Sequence, residues 1–422
     1  MTYVNARKYL AAHRGIQSSP ERMKLLCRYL DDRVRFKKCI HIAGGSGKTS
    51  CALMLSSILG AAGLKTGVFS RPFASEERES VSVCGHIISC NEFADFTGKV
   101  AKAAKSMTAD ILAARGENAS ENARNSKITK NLLEGKISPE PSFDEILCAV
   151  ALVCFTERAC DITILECGDS RADPTGVIEP PSVSVICGGI LTQEQLRTGI
   201  GIIRRGTREV VSSVSPGEAY SAVLNTCVRM GSRLTVPARA ELSLIRRNLG
   251  GRDFEYRGKE YHLPLCPEYQ AQNSLTAIEA AYALRRTGVP IDSDAIVRGL
   301  SEAKVPLRFE LISLSPFIAA DCPATAGDAA TFCESLKELS GCFGKNTLLV
   351  TPEGESSPVS EEMLSECGIT IKKILHPITE KDMRETAIAA ASLSENESML
   401  ILGDIGFTGR LTYSIRKHLG IG

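Results

Sequence analysis

The stretch His41–Ser50, "HIAGGSGKTS", sets two glycines, a serine, a third glycine, a lysine and two hydroxyls in succession. Glycines between a strand and a helix let backbone N–H groups converge on one point, where the helix dipole also favours an anion. In that arrangement Gly44, Gly45, Ser46 and Gly47 cradle phosphate, Lys48 reaches the terminal phosphates, and Thr49 or Ser50 offers a hydroxyl to Mg2+. The general pattern G-x-x-x-x-G-K-[ST] asks for a glycine six residues before the lysine, where Ile42 stands. A second candidate, Glu166, ends the run "DITILE". In open α/β sheets ligands bind beyond the carboxyl ends of strands, where a carboxylate can hold Mg2+ opposite a phosphate loop. Taken alone, a strand-end glutamate also fits an ion pair or a cap. Asp169 and Asp173, in "ECGDSRADPTG", either add oxygen ligands nearby or form an ordinary Asp-, Gly- and Pro-rich turn.

The elements that must hold these residues are readable on both sides. "KCIHIAG" is a buried strand, "KTSCALMLSSILGAAG" has helical length and ends on glycine, and "KTGVFS" is a second strand. Strand, glycine loop, helix and strand in that order open a parallel α/β sheet. "SPERMKLLCRYLDD" predicts a helix entered through Ser19-Pro20, and "SCNEFADFTGKVAKAAKSMTADILAARG" another with Asn91 as its cap. "SFDEILCAVALVCFTERAC" is a buried helix, while "SVSVICGG" and "REVVSSV" extend the sheet. Residues 115–131 are polar and aperiodic, which predicts a mobile surface loop. From about residue 310 the alternation of strand and helix restarts, ending on the helix "GRLTYSIRKHL".

Composition narrows the partners. At 422 residues the chain exceeds the roughly 250–300 that one core organises, so two domains are expected. A formal net charge of +1 gives no overall attraction to nucleic acid or anionic lipid, and the pairs Arg204/Arg205, Arg246/Arg247 and Arg285/Arg286 read as solvated faces. Sixteen cysteines contain no C-x-x-C, and most lie in apolar runs, where cysteine acts as a small hydrophobe. No stretch approaches the ~20 apolar residues of a membrane span, and the N-terminus lacks a signal-peptide core. A soluble monomer of the reducing cytoplasm is the expectation, binding neither nucleic acid nor membrane.

With these elements in order, the chain resembles the folylpolyglutamate synthase/dihydrofolate synthase family, a branch of the Mur ligases. The family's loop reads GTNGKGS, or GTNGKT[ST] in the Mur enzymes, and neither form carries the glycine that Ile42 replaces. "GLKTGVFSRPF" is similar to G-x-x-x-G-x-[FY]-[ST]-S-P-H but lacks its histidine. "PSFDEILCAVALVCF" resembles the T-F-F-E helix, keeping Phe143 and Glu145. "DITILECGDSRADPTGVI" resembles E-x-G-L-G-G-R-x-D-A-T-N, keeping Glu166, Gly168, Arg171, Asp173 and Thr175. "YQAQNS" is similar to H-Q-x-x-N-A, "VPLRFELI" to the P-G-R-x-E linker, and "IAADCPAT" to D-G-A-H-N-P, keeping Gln270, Asn273, Arg308, Glu310 and Asp321.

The resemblance implies a Mur-ligase-type P-loop domain with a parallel sheet (1–300), a linker (301–310) and a smaller Rossmann-like α/β domain (311–422). It implies ATP and Mg2+ as cofactors, held by the loop residues Gly44–Ser50 with Asn273, Arg308 and Asp321. Lys48 and Glu166 are the catalytic candidates; Thr49, Ser50 and Glu166 are the metal ligands. The implied reaction is an ADP-forming ligation of L-glutamate to a reduced folate through an acyl phosphate. Other family positions are altered. The I-G-x-D-H motif falls in "VICGGILTQEQL", with Gln193 nearest its histidine. The carbamylated lysine of E-K-A-G-I-I-K, which binds a second metal, falls at Gly199, and the small-domain His and Asn fall at Ala324 and Thr325. Arg197, Arg204 or Arg205 could stand in as a fixed charge. Two alternatives stay open: a nucleotide-binding, catalytically degenerate paralogue that regulates or supports a genuine ligase, and a ligase with a different acceptor.

Overall fold

The computed structural model describes residues 1–30, 38–71, 73–115, 129–168, 173–177, 180–354 and 358–421. The bulk of the 115–131 loop therefore lies outside the described residues. Contacts divide the chain into two compact units. One comprises Met1–Arg71, Glu77–Pro237 and Thr276–Gly299; the other comprises Pro72–Glu76, Ala238–Leu275 and Leu300–Gly422. Ala238–Leu275 thus groups with the C-terminal residues, ahead of the 301–310 segment.

In the first unit the order begins α1 (Tyr3–Ala12), α2 (Pro20–Tyr29), β1 (Cys39–Gly44), α3 (Lys48–Ala61) and β2 (Thr66–Phe69). It continues through β3 (Val81–Val83), β4 (His86–Ile87), α4 (Cys90–Ala114), α5 (Lys130–Leu133), α6 (Phe143–Glu157) and β5 (Ile162–Glu166). Then follow β6 (Val183–Cys187), α7 (Gln193–Gly201), β7 (Glu209–Ser212), α8 (Glu218–Met230) and β8 (Arg233–Thr235). Among the described residues these strands form one sheet in the order β4-β3-β2-β5-β1-β6-β7-β8. β2, β5, β1, β6, β7 and β8 run parallel, and β3 and β4 add an antiparallel edge. Every residue of β1, β2, β5, β6 and β7 is buried, as a sheet covered on both faces requires.

Two local contacts explain how helices seat on this sheet. Residues Glu145–Phe155 of α6 are all buried, and a Cβ at Gly67 of β2 would lie 2.5 Å from the Phe155 ring. Only glycine lets strand and ring approach that closely. Glu145 is fully buried and answers Ser19 N–H, Ser142 N–H and Arg22 Nε, each at 2.7 Å. Arg22 in turn donates to the carbonyls of Gln17 and Ser138. A buried ion pair is tolerable when its other hydrogen-bonding capacity is filled, and this one locks α2 against the start of α6. Ser89, two residues ahead of the expected Asn91, caps α4 in a capping box with Glu92.

The second unit holds two further sheets. β9 (Leu242–Asn248), β10 (Gly251–Tyr256) and β11 (Lys259–Leu263) form an antiparallel sheet in the order β11-β10-β9. After α9 (Glu268–Arg286) and α10 (Ser293–Ser301), whose stretch Thr276–Gly299 belongs to the first unit, come β12 (Glu310–Leu314), β13 (Phe317–Asp321), α11 (Ala326–Leu339) and β14 (Asn346–Val350). α12 (Glu361–Glu366), β15 (Ile371–Leu375), α13 (Glu380–Ala391), β16 (Glu397–Leu402) and α14 (Ile405–Leu419) complete the chain. The sheet order is β12-β13-β16-β14-β15, parallel apart from β12. Phe309, Phe332, Leu336 and Leu400 fill one side of it and Ile318, Met399, Leu411 and Ile415 the other. Among the described residues no helix is long and apolar enough to cross a membrane.

His41 in the centre of β1 is completely buried, and among the described residues neither ring nitrogen has a hydrogen-bond partner. Burial, with the positive charge of Arg204, pushes its pKa down to about 3. The unfolded chain takes up this proton near pH 6.5, so the histidine costs no stability above that pH. As pH falls from 6.5 toward 3, stability drops by up to about 1.4 kcal/mol per unit. His41→Val is therefore expected to unfold in urea with a smaller loss between pH 7.5 and 5.5 than the parent, by about 1.4 kcal/mol. Equal losses in the two proteins would remove the histidine from the account.

Candidate functional site

β1 ends in Gly44, whose φ of +112° suits glycine and whose missing Cβ would sit 2.2 Å from the carbonyl oxygen of Cys187. Gly45 N–H donates to that same carbonyl at 2.9 Å, so the loop leaves β1 tight against the end of β6. Gly47, at φ +91°, turns the chain into α3, whose first residue is Lys48. Lys48 Nζ donates back to the Gly44 carbonyl at 2.9 Å, keeping its ammonium over the loop. Behind it, Cys51 of α3 meets Cys187; hydrogen bonding between the two thiols, together with burial, raises the Cys51 pKa well above the usual range.

The hydroxyl of Thr49 donates to both carboxylate oxygens of Glu166, at 3.0 and 3.2 Å. Glu166 is 3% exposed and pairs in register with Ile42, so strand-end acid and loop share one edge of the sheet. Ser50 is buried in the next position of α3, leaving Thr49 as the hydroxyl facing the acid. Mg2+ keeps several waters and takes only one or two protein oxygens beside substrate phosphates. The Thr49–Glu166 pair fits that donor set. Among the described residues no group of three or more His, Cys, Asp and Glu is arranged to hold a metal by itself.

Asp173 is not left for a metal. It accepts from Gly168 N–H at 2.7 Å, from Thr175 N–H at 2.9 Å, from the Thr175 hydroxyl and from Arg71. Arg71 also donates to Asp144 at 2.7 Å; burial works against its charge, but the two aspartates outweigh burial and raise its pKa. Sequence reasoning passed over Arg71, which stands where the motif has a serine. Asp169 and Arg171 lie outside the described residues.

In the second unit Asp321 ends β13 with 4% exposure. One carboxylate oxygen accepts Cys322 N–H at 2.7 Å and the other accepts the Tyr269 hydroxyl at 3.0 Å. Burial raises its pKa, opposed by Arg308 and these hydrogen bonds. Arg308 donates to the Cys322 carbonyl at 2.8 Å and stands between two buried residues in left-handed backbone, Leu307 (φ +57°) and Phe309 (φ +50°). Such residues cost about 1–3 kcal/mol each. Glu310 offsets part of this by accepting Leu307 N–H at 3.0 Å while paired with Arg416. Asn273 donates to Gln270 Oε1 at 3.3 Å.

No family model matches the chain. It is 25% identical over 345 residues to a dihydrofolate synthase/folylpolyglutamate synthase of Mycobacterium tuberculosis, covering 76% of this chain and 66% of that one. A "probable bifunctional folylpolyglutamate synthase/dihydropteroate synthase" of Halobacterium salinarum is 27% identical over 71% of the chain. The chain spans about a third of the length of that relative, 35%. Among solved structures, the folylpolyglutamate synthase of Thermotoga maritima has a TM-score of 0.77 at 21% identity, covering 99% of this chain and 96% of that one. A complex of "FPGS" with AMPPCP and folate has a TM-score of 0.76 at 20% identity, covering each chain completely.

The chain is similar in sequence to folylpolyglutamate synthases and shares their fold.

Against the family pattern, the altered positions have structural uses here. A Cβ at Gly199, where the family's modified lysine falls, would lie 3.2 Å from Ile186, so this face of α7 packs on the sheet. Gln193 is exposed, whereas Gln195 Oε1 lies 3.4 Å from where a Gly45 Cβ would be. Gln195 therefore neighbours the phosphate loop, two residues beyond the nearest match found by alignment. Thr325 caps α11 in a box with Asp328, and Ala324 N–H donates to the same aspartate. Of the replacement arginines, Arg197 and Arg205 are exposed, while Arg204 donates to the Gly176 carbonyl at 3.0 Å.

The close approach at Gly44 yields a graded expectation. Gly44→Ala combines a forbidden contact with a strained φ, and is expected to destabilise the protein by more than about 2 kcal/mol and abolish nucleotide-induced thermal stabilisation. Gly45→Ala meets its nearest neighbour at 3.2 Å and should retain most of both. Equal melting temperatures and ATP shifts for the two variants would contradict the geometry.

Proposed function

We propose that the protein is an ATP-dependent, ADP-forming carboxylate–amine ligase that adds L-glutamate to a reduced folate. The observation that carries this reading is the Thr49–Glu166 pair beside a glycine loop that ends in Lys48, within a chain similar to folylpolyglutamate synthases. Its relatives' names and the folate and AMPPCP complex of a similar fold support the substrate assignment.

In this reading the loop amides from Gly44 to Gly47 and the Lys48 ammonium bind the nucleotide's phosphates and neutralise charge as the phosphoryl group moves. Thr49 and Glu166 would hold Mg2+, which supplies Lewis-acid polarisation of phosphate oxygens. A substrate carboxylate oxygen bonds to the γ-phosphorus as ADP leaves, giving an acyl phosphate. The glutamate amine then attacks that carbonyl, loses a proton and expels phosphate. Asn273, Arg308 and Asp321 serve nucleotide recognition. We further propose a monomer acting in the reducing cytoplasm.

A second reading rests on a specific observation: Gly199 is packed against Ile186, and Ala324–Thr325 has become a helix start. On that reading the protein binds nucleotide and supports another ligase without turning over. ADP release separates the two. Release requiring Mg-ATP, a reduced folate and L-glutamate together, and falling at least ~100-fold in Lys48→Ala, is expected for the ligase. Binding of ATP without substrate-dependent release selects the second reading.

A further inference from the structure

The two residues that follow Glu166 both hang on Asp173. One carboxylate oxygen accepts Gly168 N–H at 2.7 Å. The other accepts the Thr175 hydroxyl proton, and Thr175 N–H at 2.9 Å. That hydroxyl has a single proton to give, so at its 2.9 Å contact with Cys167 Sγ the thiol is the donor. Burial and the charge of Asp173 raise the Cys167 pKa, which keeps this proton in place. Arg71 fills the remaining position on the carboxylate and, among the described residues, is the cation paired with it. Its other terminal nitrogen donates at 2.7 Å to Asp144 in the first turn of α6, and its guanidinium lies 5.3 Å from the centre of the Phe69 ring. Arg71 thereby joins the end of β2, the start of α6 and the chain leaving β5, all within the first unit.

We propose that Arg71 is a positioning residue: through Asp173 it holds the chain beyond Glu166, and so aims the Glu166 carboxylate at Thr49 and the Mg2+ the pair would share. This rests on the metal-site reading of Thr49 and Glu166. On the strand side Glu166 is fixed by the sheet ladder, as far as Cys167 N–H on the Ile42 carbonyl at 2.8 Å. Beyond that bond the Arg71–Asp173 network takes over. Asp173 is buried, and a buried carboxylate without its counter-charge takes up a proton or moves toward water. Either change removes acceptors from Gly168 N–H and from the Thr175 hydroxyl that holds Cys167. The glycine loop reaches phosphate through its own amides and Lys48. Loss of Arg71 therefore weakens what the metal adds to nucleotide binding and leaves what the loop provides. A lysine would bring the charge as a single point, without the planar fork that spans both aspartates.

The test follows ATP binding by calorimetry, in EDTA and across a Mg2+ titration, for the parent, Arg71→Ala, Arg71→Lys and Asp144→Asn. Mg2+ should tighten ATP binding in the parent. In Arg71→Ala the Mg2+ concentration that gives half of this gain should rise about tenfold, with ATP affinity in EDTA within about twofold of the parent. Arg71→Lys should move that midpoint less than Arg71→Ala does. Asp144 is half exposed, so Asp144→Asn, which keeps the pair with Asp173, should move it by about twofold or less. Equal weakening with Mg2+ and with EDTA would leave Arg71 a packing residue and overturn the proposal, as would an unmoved midpoint. Urea unfolding controls for a folding defect, and if the alanine variant does not fold, Arg71→Lys decides on the same midpoint, raised or unmoved. Parental ATP affinity that ignores Mg2+ would instead bring down the metal-site reading, and this proposal with it.

Discussion

The approach of Gly44 to the backbone of Cys187 is the constraint on which the phosphate loop depends. With no room for a Cβ there, β1 and β6 close on each other, and the chain must leave the sheet along one path. Gly45 N–H is committed to the Cys187 carbonyl, Gly47 supplies the left-handed turn, and α3 begins at the lysine. Because β1 also pairs with β5, the same exit sets Thr49 above Glu166. One steric exclusion therefore aligns a cation, a hydroxyl and a carboxylate that lie far apart in sequence.

How much of this was legible depends on what kind of signal each part leaves. The loop, Glu166 and the alternating strands are local or strongly patterned, and they stand where the sequence puts them. Of the three short strands between Leu242 and Leu263, β9 is not patterned: it reads "LSLIRRN" and is mostly exposed, so burial imposes no alternation on it. Asp173 reads as a possible ligand because sequence does not show Arg71 arriving from the end of another strand. Tyr269 and Asp321 are 52 residues apart, and nothing in either residue's neighbours marks the hydrogen bond. Gln193, the nearest match to the motif's histidine, is exposed at the start of α7, whereas Gln195, in the capping box with Thr192, lies beside Gly45.

Positions that differ from the family have not been left idle. Gly199 gives α7 a close seat on β6, and Thr325 caps α11. Each of these residues serves packing or a helix end. The turn around Arg308 shows the opposite balance. Leu307 and Phe309 keep a backbone that neither residue favours, and Glu310 with Arg416 holds it in place. Strain of that kind persists where an exact direction for one side chain outweighs its energetic cost.

The pairing of Cys51 with Cys187 makes the loop observable without any label being added. A buried, protonated thiol does not react with alkylating agents until the structure around it opens. Cys51 belongs to the first turn of α3, so its modification rate records how often that turn parts from β6. The protein thus carries its own clock for the breathing of its phosphate loop, readable by mass spectrometry residue by residue.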